Sequence, residues 1–212
     1  MANPPRSVKI DQDERGGWSS DRPRKDGAPA RPVDIATRCR VLKPSDRMRY
    51  MPGSLVVVVS GSATAREKFA DRVFEEKDSG AVLSLVRVRK LIAGRVPDAD
   101  LEERATELLN AAVKKRLESG QAVVLIADGL LADEREPFLR LANSLRRPRH
   151  LILIEAPSGE VDEEDAAVLN ALRTALNAGE AGAEGFQTAL RLGGNTVGEL
   201  KRIVFRPPPA QD

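Results

Sequence analysis

Cysteine and histidine each occur only once in this chain, and aromatic residues make up only 3% of it. The single cysteine, Cys39, excludes an internal disulfide framework and favours a reducing compartment, so we expect a cytoplasmic protein. One histidine and one cysteine also exclude His/Cys metal sites and Cys–His nucleophilic catalysis. Since aromatic residues are few, the 41% hydrophobic content predicts an aliphatic core for one medium α/β domain.

Long apolar segments are missing as well. No stretch has the length of a membrane helix, and the N-terminus carries no apolar signal-peptide core. The sequence therefore predicts neither a membrane span nor a signal peptide, and we expect no membrane partner.

Charge is distributed unevenly along the chain, although the net charge is only +2. Residues 1–50 contain twelve Lys/Arg and seven Asp/Glu, whereas the remainder contains 22 basic and 25 acidic residues. Pro, Gly, Arg and Ser dominate this first segment, and it has neither helical nor strand periodicity. We therefore predict a flexible basic arm over residues 1–52, with Met48 and Tyr50 in the more hydrophobic part that packs along the domain.

The arm has two interpretations. It is either a solvating extension or a partner-binding element, in which the only tryptophan, Trp18, becomes an anchor on binding. Arg22, Arg24 and Lys25 complete the predicted partner-binding set. Acidic residues such as Asp21 interrupt the basic run, which favours a protein partner, and a nucleic acid is the alternative.

The rest of the chain alternates apolar strand-like runs with helical patterns. This alternation predicts a three-layer α/β domain over residues 53–206, with a parallel sheet of about five strands and helices on both faces. Residues 207–212 form a tail. The predicted strands cover 55–59, 81–84, 122–127, 151–155 and 186–192, and the predicted helices cover 66–74, 101–117, 133–145, 162–177 and 197–202.

The most informative segment is SLVVVVSGSATAREKFADR, which begins at Ser54. A β-branched run, a small-residue turn and a helical segment follow one another, as in the phosphate-binding P-loop GxxxxGK[ST]. With Gly61 as the first glycine, Arg66 stands at the second glycine, Glu67 at the lysine and Lys68 at the hydroxyl position. The predicted remnant comprises Gly61, Ser62, Ala63, Thr64, Ala65, Arg66, Glu67 and Lys68. A carboxylate at the lysine position repels a triphosphate, although Glu67 also suits an ordinary helix N-terminus.

The order of segments over residues 54–205 resembles the bacterial polynucleotide 5′-kinase family of P-loop kinases, and the kinase domain of bacterial RNA-repair enzymes is the nearest type. The resemblance rests on SLVVVVSG, VLSLVRVRKLIAG, EGFQTALRL and above all on the helix–Gly–strand–Asp–helix block between Ala112 and Ala142. It implies a P-loop kinase fold and transfer of the ATP γ-phosphate to a nucleic-acid 5′-hydroxyl. Such transfer depends on charge neutralisation and positioning.

Carried over by position, the resemblance implies the loss of several catalytic groups. Val86 stands where the family has the aspartate that orients the acceptor hydroxyl, and Arg87 beside it is retained. The aspartate that ends the third strand corresponds to Ile126, and Asp128 lies two residues later on the same face of an extended chain. The lid segment offers only Arg173.

Two functions follow as hypotheses. The first is a catalytically degenerate domain that acts as a binding or scaffold module through its arm, with no catalytic residue, no metal and no cofactor. The alternative is an active or residual ATP-dependent polynucleotide or nucleotide kinase with a remodelled loop, in which Lys68 reaches the phosphates and Asp128 the magnesium ion.

Overall fold

The β-branched run Leu55–Val59 forms an interior strand, β3, in which every side chain is buried. The computed structural model describes residues 39–74, 80–155, 161 and 163–207, all of which belong to one compact unit, Asp34–Asp212. Strand β3 lies between β5 (Val123–Ile126) and β6 (Arg149–Ile154), and both pairings are parallel. A strand surrounded in this way needs apolar side chains on both faces, as its sequence predicts.

The sheet has six strands in the order β1-β7-β6-β3-β5-β4, and all of its pairings are parallel. The remaining strands are β1 (Arg40–Leu42), β4 (Val82–Ser84) and β7 (Thr188–Leu192). The prediction of an α/β fold with a parallel sheet is confirmed, with one strand more than expected. The additional strand is β1, which comes from the segment assigned to the arm.

Helices cover both faces of the sheet. One face packs against α2 (Leu85–Ile92), α3 (Leu101–Glu118), α4 (Ala132–Ser144) and α5 (Glu163–Ala178). The opposite face packs against α1 (Ala63–Val73) and a two-stranded parallel ribbon made of β2 (Arg47–Tyr50) and β8 (Arg202–Phe205). The short helix α6 (Asn195–Glu199) precedes β8. No helix among the described residues is long and apolar enough to cross a membrane.

The predicted domain boundary at residue 52 lies too late in the chain. Strands β1 and β2 precede it and belong to the fold, because Met48 and Tyr50 are buried in the core beneath the ribbon. The burial predicted for these two residues is confirmed. Residues 1–38 lie outside the described residues, as do Trp18, Arg22, Arg24 and Lys25, and so do residues 208–212 of the predicted tail.

Two other local predictions differ from the structure. The helix predicted over 197–202 is shorter and gives way to β8, whose Ile203 and Val204 are buried. The inward face of α4 is centred on Arg135, Leu139 and Ala142, whereas the predicted inward residues Phe138, Leu141 and Leu145 are only partly buried. Arg135 belongs to the inward face because its guanidinium donates hydrogen bonds to Glu184 and to the carbonyl oxygens of Leu130 and Leu131.

The single histidine, His150, connects the ribbon to the sheet. It is the second residue of β6, and its ring centroid lies 4.4 Å from that of Tyr50. Nδ1 lies 2.7 Å from Thr188 Oγ1, and Nε2 lies 3.3 Å from Ser54 Oγ. Burial, together with the nearby charge of Arg149, lowers the pKa of His150 to about 4. The ring is therefore neutral at physiological pH and stabilises the core.

We expect the stability of the protein to fall between pH 6.5 and pH 4. The unfolded chain binds a proton at His150 near pH 6.5, whereas the folded chain binds it only near pH 4. The stabilisation is complete above pH 6.5, and the shift corresponds to a loss on the order of 3 kcal/mol across the window. Urea denaturation at a series of pH values measures this loss. His150→Gln should flatten the profile between pH 6.5 and pH 5, and parallel profiles for the two proteins would contradict the assignment.

Candidate functional site

The candidate site lies where β3 ends, at a switch point of the sheet. The chain leaves β3 through α1 toward β4 and β5 on one side, and it leaves β6 through α5 toward β7 on the other. In parallel α/β sheets, ligands bind in the crevice at the carboxyl ends of two such strands. The loop at Gly61 and the side chain of Glu155 border this crevice.

The loop after β3 is short. Only Ser60, Gly61 and Ser62 separate the strand from α1, which begins at Ala63 instead of Arg66. The Ser62 hydroxyl caps the helix by accepting a hydrogen bond from the Ala65 N–H at 3.2 Å, and the Ser62 N–H donates to Ser60 Oγ at 3.2 Å. The second half of the predicted small-residue turn, residues 63–65, is thus helix, because a serine N-cap starts the helix early. Ala63 and Thr64 are exposed in its first turn.

Arg66 turns inward and connects two strands. Its guanidinium donates to the Ser60 carbonyl oxygen and to the Asp128 carbonyl oxygen, both at 2.6 Å. The residue is only 6% exposed, and its Nε is buried without a hydrogen-bond partner. Burial lowers the pKa of Arg66, although nearby carboxylates, first that of Asp128, oppose the shift. A guanidinium therefore lies at the position predicted for the second glycine of a phosphate-binding loop, and it joins the carboxyl ends of β3 and β5.

Glu67, at the position predicted for the P-loop lysine, forms a hydrogen-bond network with α2. Its carboxylate accepts a hydrogen bond from Ser84 Oγ at 2.8 Å and one from Arg87 Nε at 3.0 Å. Arg87 also donates to Asp71 at 2.6 Å, and Ser84 caps α2 by accepting from the Arg87 N–H. The structure thus brings together two of the predicted site residues, Glu67 and Arg87. Sequence reasoning missed Ser84, and the available signal was a serine, a common N-cap residue, immediately before the segment LVRVRKLI that forms α2.

The other predicted positions are more dispersed. Val86 is partly buried in the first turn of α2, and Ile126 is buried in the core on the side of α1. The Asp128 carboxylate is 55% exposed and lies 3.6 Å from Arg89, while its carbonyl oxygen binds Arg66. Arg66 of α1 donates to the main-chain carbonyl oxygen of Asp128. The two residues therefore contact each other through the main chain of Asp128 and not through its carboxylate.

The side chain of Lys68 does not share the contacts of its neighbours Arg66 and Glu67. It is exposed and forms no ion pair with any residue in the described part of the chain. Its side chain lines a cavity of about 440 Å³ at the switch point. The cavity is lined by Ala65, Lys68, Phe69, Arg72, Ile154, Glu155, Gly194 and Val197.

Glu155 directly follows β6 and lines the crevice on the side of that strand. Its carboxylate accepts hydrogen bonds from Arg173 of α5, the predicted lid arginine, and from Arg191 of β7 at 2.5 Å. Burial raises the pKa of Glu155, but these two arginines outweigh it and hold the pKa below the usual range. Arg173 is therefore engaged by a carboxylate of the protein itself.

Val161 covers the turn. A Cβ atom at Gly61 would lie 2.9 Å from Val161 Cγ2, which is closer than real Cβ contacts come. Glycine is needed here for the close approach of this side chain, independently of any phosphate. The packing of Val161 gives Gly61 a structural explanation.

A second cavity of about 440 Å³ lies at the carboxyl end of β5, between α3 and α4. Its walls include Leu85, Leu109 and Phe138, with Asp128, Asp133 and Glu134 among the lining side chains. Among the described residues, no group of three or more His, Cys, Asp or Glu side chains is placed to hold a metal ion. Burial raises the pKa of Cys39 to about 11, with a smaller contribution from Glu184, so this thiol stays protonated.

No protein-family model and no curated protein matches this chain.

Proposed function

We propose that this protein is a P-loop-kinase-like domain that does not transfer phosphate and acts as a binding module. The observation that carries the proposal is the arrangement of Arg66 and Glu67. Both residues lie in α1 and are committed to contacts within the protein, Arg66 to two carbonyl oxygens and Glu67 to Ser84 and Arg87. Phosphoryl transfer by a P-loop needs a lysine at position 67 and a metal-binding hydroxyl at position 68.

The residues present do not fit magnesium and ATP. A lysine at position 67 would neutralise the phosphates, whereas Glu67 presents a carboxylate there. Lys68 replaces the hydroxyl that holds magnesium, and Val86 replaces the acceptor-orienting carboxylate. We therefore assign no catalytic role to these positions, and we place the binding function in the N-terminal segment with Trp18 as its anchor.

A second candidate, residual nucleotide binding, is favoured by one observation. Lys68 lines the cavity at the switch point and has no carboxylate partner in the described part of the chain. Arg72, which also lines it, donates to the carbonyl oxygens of Leu200 and Val197. A lysine that has no ion pair among the described residues, beside a cavity of about 440 Å³, suits an anionic ligand.

Calorimetric titration with ATP, with and without magnesium, separates the two candidates. We expect no magnesium-dependent binding in the micromolar range and no transfer of labelled phosphate to a 5′-hydroxyl oligonucleotide, because Glu67 opposes the triphosphate. Glu67→Lys should give at most weak phosphate binding without turnover, since neither the metal ligand nor the base is restored. Glu67→Gln is the matched control that removes the charge while keeping a hydrogen-bonding group.

The outcomes discriminate clearly. Robust phosphate transfer by the wild type would overturn the proposal. Micromolar ATP binding without transfer, abolished by Lys68→Gln, would establish the second candidate instead.

A further inference from the structure

The cavity at the carboxyl end of β5 has apolar inner walls. Leu109 of α3 and Leu125 of β5 are buried in these walls, and Leu85 of α2 and Phe138 of α4 pack against the same core. The cavity volume of about 440 Å³ lies within the range of small-molecule sites. The cavity therefore has the size and the apolar surface to bury one small organic molecule.

The polar lining of this cavity is acidic. Three carboxylate residues and two neutral polar residues belong to it: Asp128, Asp133, Glu134, Thr106 and Asn110. None of the lining residues is basic. The Thr106 hydroxyl donates to a carbonyl oxygen of its own helix, so its lone pairs are what it offers to a ligand. The three carboxylate residues are exposed, which places them where the cavity opens to solvent, and they are called the acidic rim below.

Neighbouring cations do not neutralise the acidic rim. The Arg89 guanidinium lies 2.5 Å from Glu102 and 3.6 Å from Asp128, so two carboxylates share one cation. Asp133 and Glu134 form no ion pair with any residue in the part of the chain that the structure describes. The rim thus keeps negative charge that the protein itself leaves uncompensated.

Carboxylates outnumber guanidiniums around the cavity. Four carboxylates accompany two guanidiniums there: Glu102, Asp128, Asp133 and Glu134, with Arg66 and Arg89. The dipole of α4 stabilises Asp133 and Glu134 in its first turn, but it does not account for the absence of basic side chains from the lining. The cavity at the switch point, by contrast, has Lys68 and Arg72 in its walls. The two cavities therefore suit ligands of opposite charge.

We propose that the cavity at the end of β5 binds a small organic ammonium ion with an apolar body, of the arylalkylamine class. The apolar body packs against Leu85, Leu109 and Phe138, and its transfer out of water supplies the affinity. The ammonium group lies at the acidic rim, where carboxylates accept its hydrogen bonds. The ring of Phe138 offers a further favourable contact to the cation. These groups surround one cavity and do not follow a groove, which favours a small molecule over a basic peptide.

This inference goes beyond the proposed function and does not depend on it. The cavity lies at the carboxyl end of β5, whereas the Gly61 loop connects β3 to α1. The expected ligand has the opposite charge to a nucleotide. Titrations with ATP and with an amine can therefore succeed or fail separately.

The test is an NMR titration of the full-length, isotope-labelled protein with tryptamine, followed through assigned backbone amide signals. Two further ligands serve as controls: tryptophol, in which a hydroxyl replaces the ammonium group, and indolepropionate, which carries a carboxylate. The rim variant is Asp133→Asn with Glu134→Gln, both at exposed positions. The control variant is Asp46→Asn with Glu199→Gln, which makes the same two chemical changes at exposed positions that do not line the cavity.

We expect saturable tryptamine binding that shifts the amide signals of lining residues such as Thr106, Asn110 and Phe138. Tryptophol should bind at least about tenfold more weakly because it lacks the charge, and indolepropionate should bind more weakly still. The rim variant should lose about fivefold in tryptamine affinity, since an exposed charge contributes little alone, and its tryptophol affinity should stay unchanged. The control variant should match the wild type.

Equal affinities for tryptamine and tryptophol would overturn the proposal, and so would equal losses in the rim and control variants. Absence of saturable binding at millimolar tryptamine, or shifts centred on Lys68 and Phe69 of the other cavity, would also overturn it. Tighter binding of a lysine-rich peptide than of tryptamine at the same amide signals would overturn it in favour of a basic protein partner. If the double rim variant fails to fold, Asp133→Asn alone should weaken tryptamine binding by about twofold.

Discussion

A chain that lacks residues 1–50 is expected to show no cooperative unfolding transition, whereas one that lacks residues 1–38 should unfold near the wild-type temperature. The longer deletion removes β1 and β2, and with them the buried Met48 and Tyr50. Truncating a buried Met or aromatic side chain costs about 2–5 kcal/mol each, which together approaches the whole stability of a typical domain. It also uncovers Ile203 of β8, which is fully buried.

Differential scanning calorimetry of the two truncated chains and the full chain measures this effect. A cooperative transition for the chain lacking residues 1–50 would show that β1 and β2 are dispensable.

The position of β1 and β2 in the fold also determines which deletion should be used in a partner-binding assay. A pull-down that compares the full chain with the deletion of 1–38 isolates the segment that carries Trp18, whereas deletion of 1–50 also removes strands of the fold. Loss of partner binding on deletion of 1–38, reproduced by Trp18→Ala, is the result expected of a binding module.

The regular elements that the sequence predicts well are those with a long, uniform pattern. The run Leu55–Val59 is a strand with the predicted bounds, because five consecutive apolar, mostly β-branched residues suit only an interior parallel strand here. Helix α3 follows its 3.6-residue periodicity from Leu101 and extends one residue beyond the predicted end. In both cases local pattern and tertiary burial favour the same structure.

The elements that the sequence did not predict are short, and their local pattern competes with their tertiary position. The segment LVRVRKLI alternates apolar and basic residues as a strand does, yet it forms α2 because Ser84 caps it and Val88 packs on the core. Strands β1 and β8 have three and four residues, and each pairs with a strand that is remote in sequence. Such pairings depend on the whole sheet, and a window of sequence does not contain them.

In the candidate site, too, some features could be predicted from the sequence and others could not. The proximity of the loop and α2 follows from parallel strand order, so the meeting of Glu67 with Arg87 was accessible to sequence reasoning. The inward orientation of the Arg66 side chain was not accessible to sequence reasoning, because an arginine in the first turns of a helix is ordinarily exposed. Its partners are two carbonyl oxygens, and main-chain acceptors leave no signal in a sequence.

Replacing Arg66 with methionine is expected to lower the free energy of unfolding by about 3–5 kcal/mol. The substitution keeps an unbranched apolar stem but removes the guanidinium that joins the ends of β3 and β5. It leaves the carbonyl oxygens of Ser60 and Asp128 without this donor, and hydrogen bonds from charged groups are worth about 1.5–3 kcal/mol each. Urea denaturation at constant pH measures the loss.

Lys68→Met is the matched control, because it removes a cation from the same helix at an exposed position without an ion pair among the described residues. We expect a change within about 0.5 kcal/mol for this variant. Arg66→Lys should lie between the two, since a single ammonium on a different stem lacks the fork that reaches two carbonyl oxygens at once. If Arg66→Met costs no more than Lys68→Met, the guanidinium does not hold the strand ends together. The loop would then be organised by Val161 and the Ser62 cap alone. Arg66 would not be committed to the fold, and the proposed loss of phosphate transfer would lose part of its support.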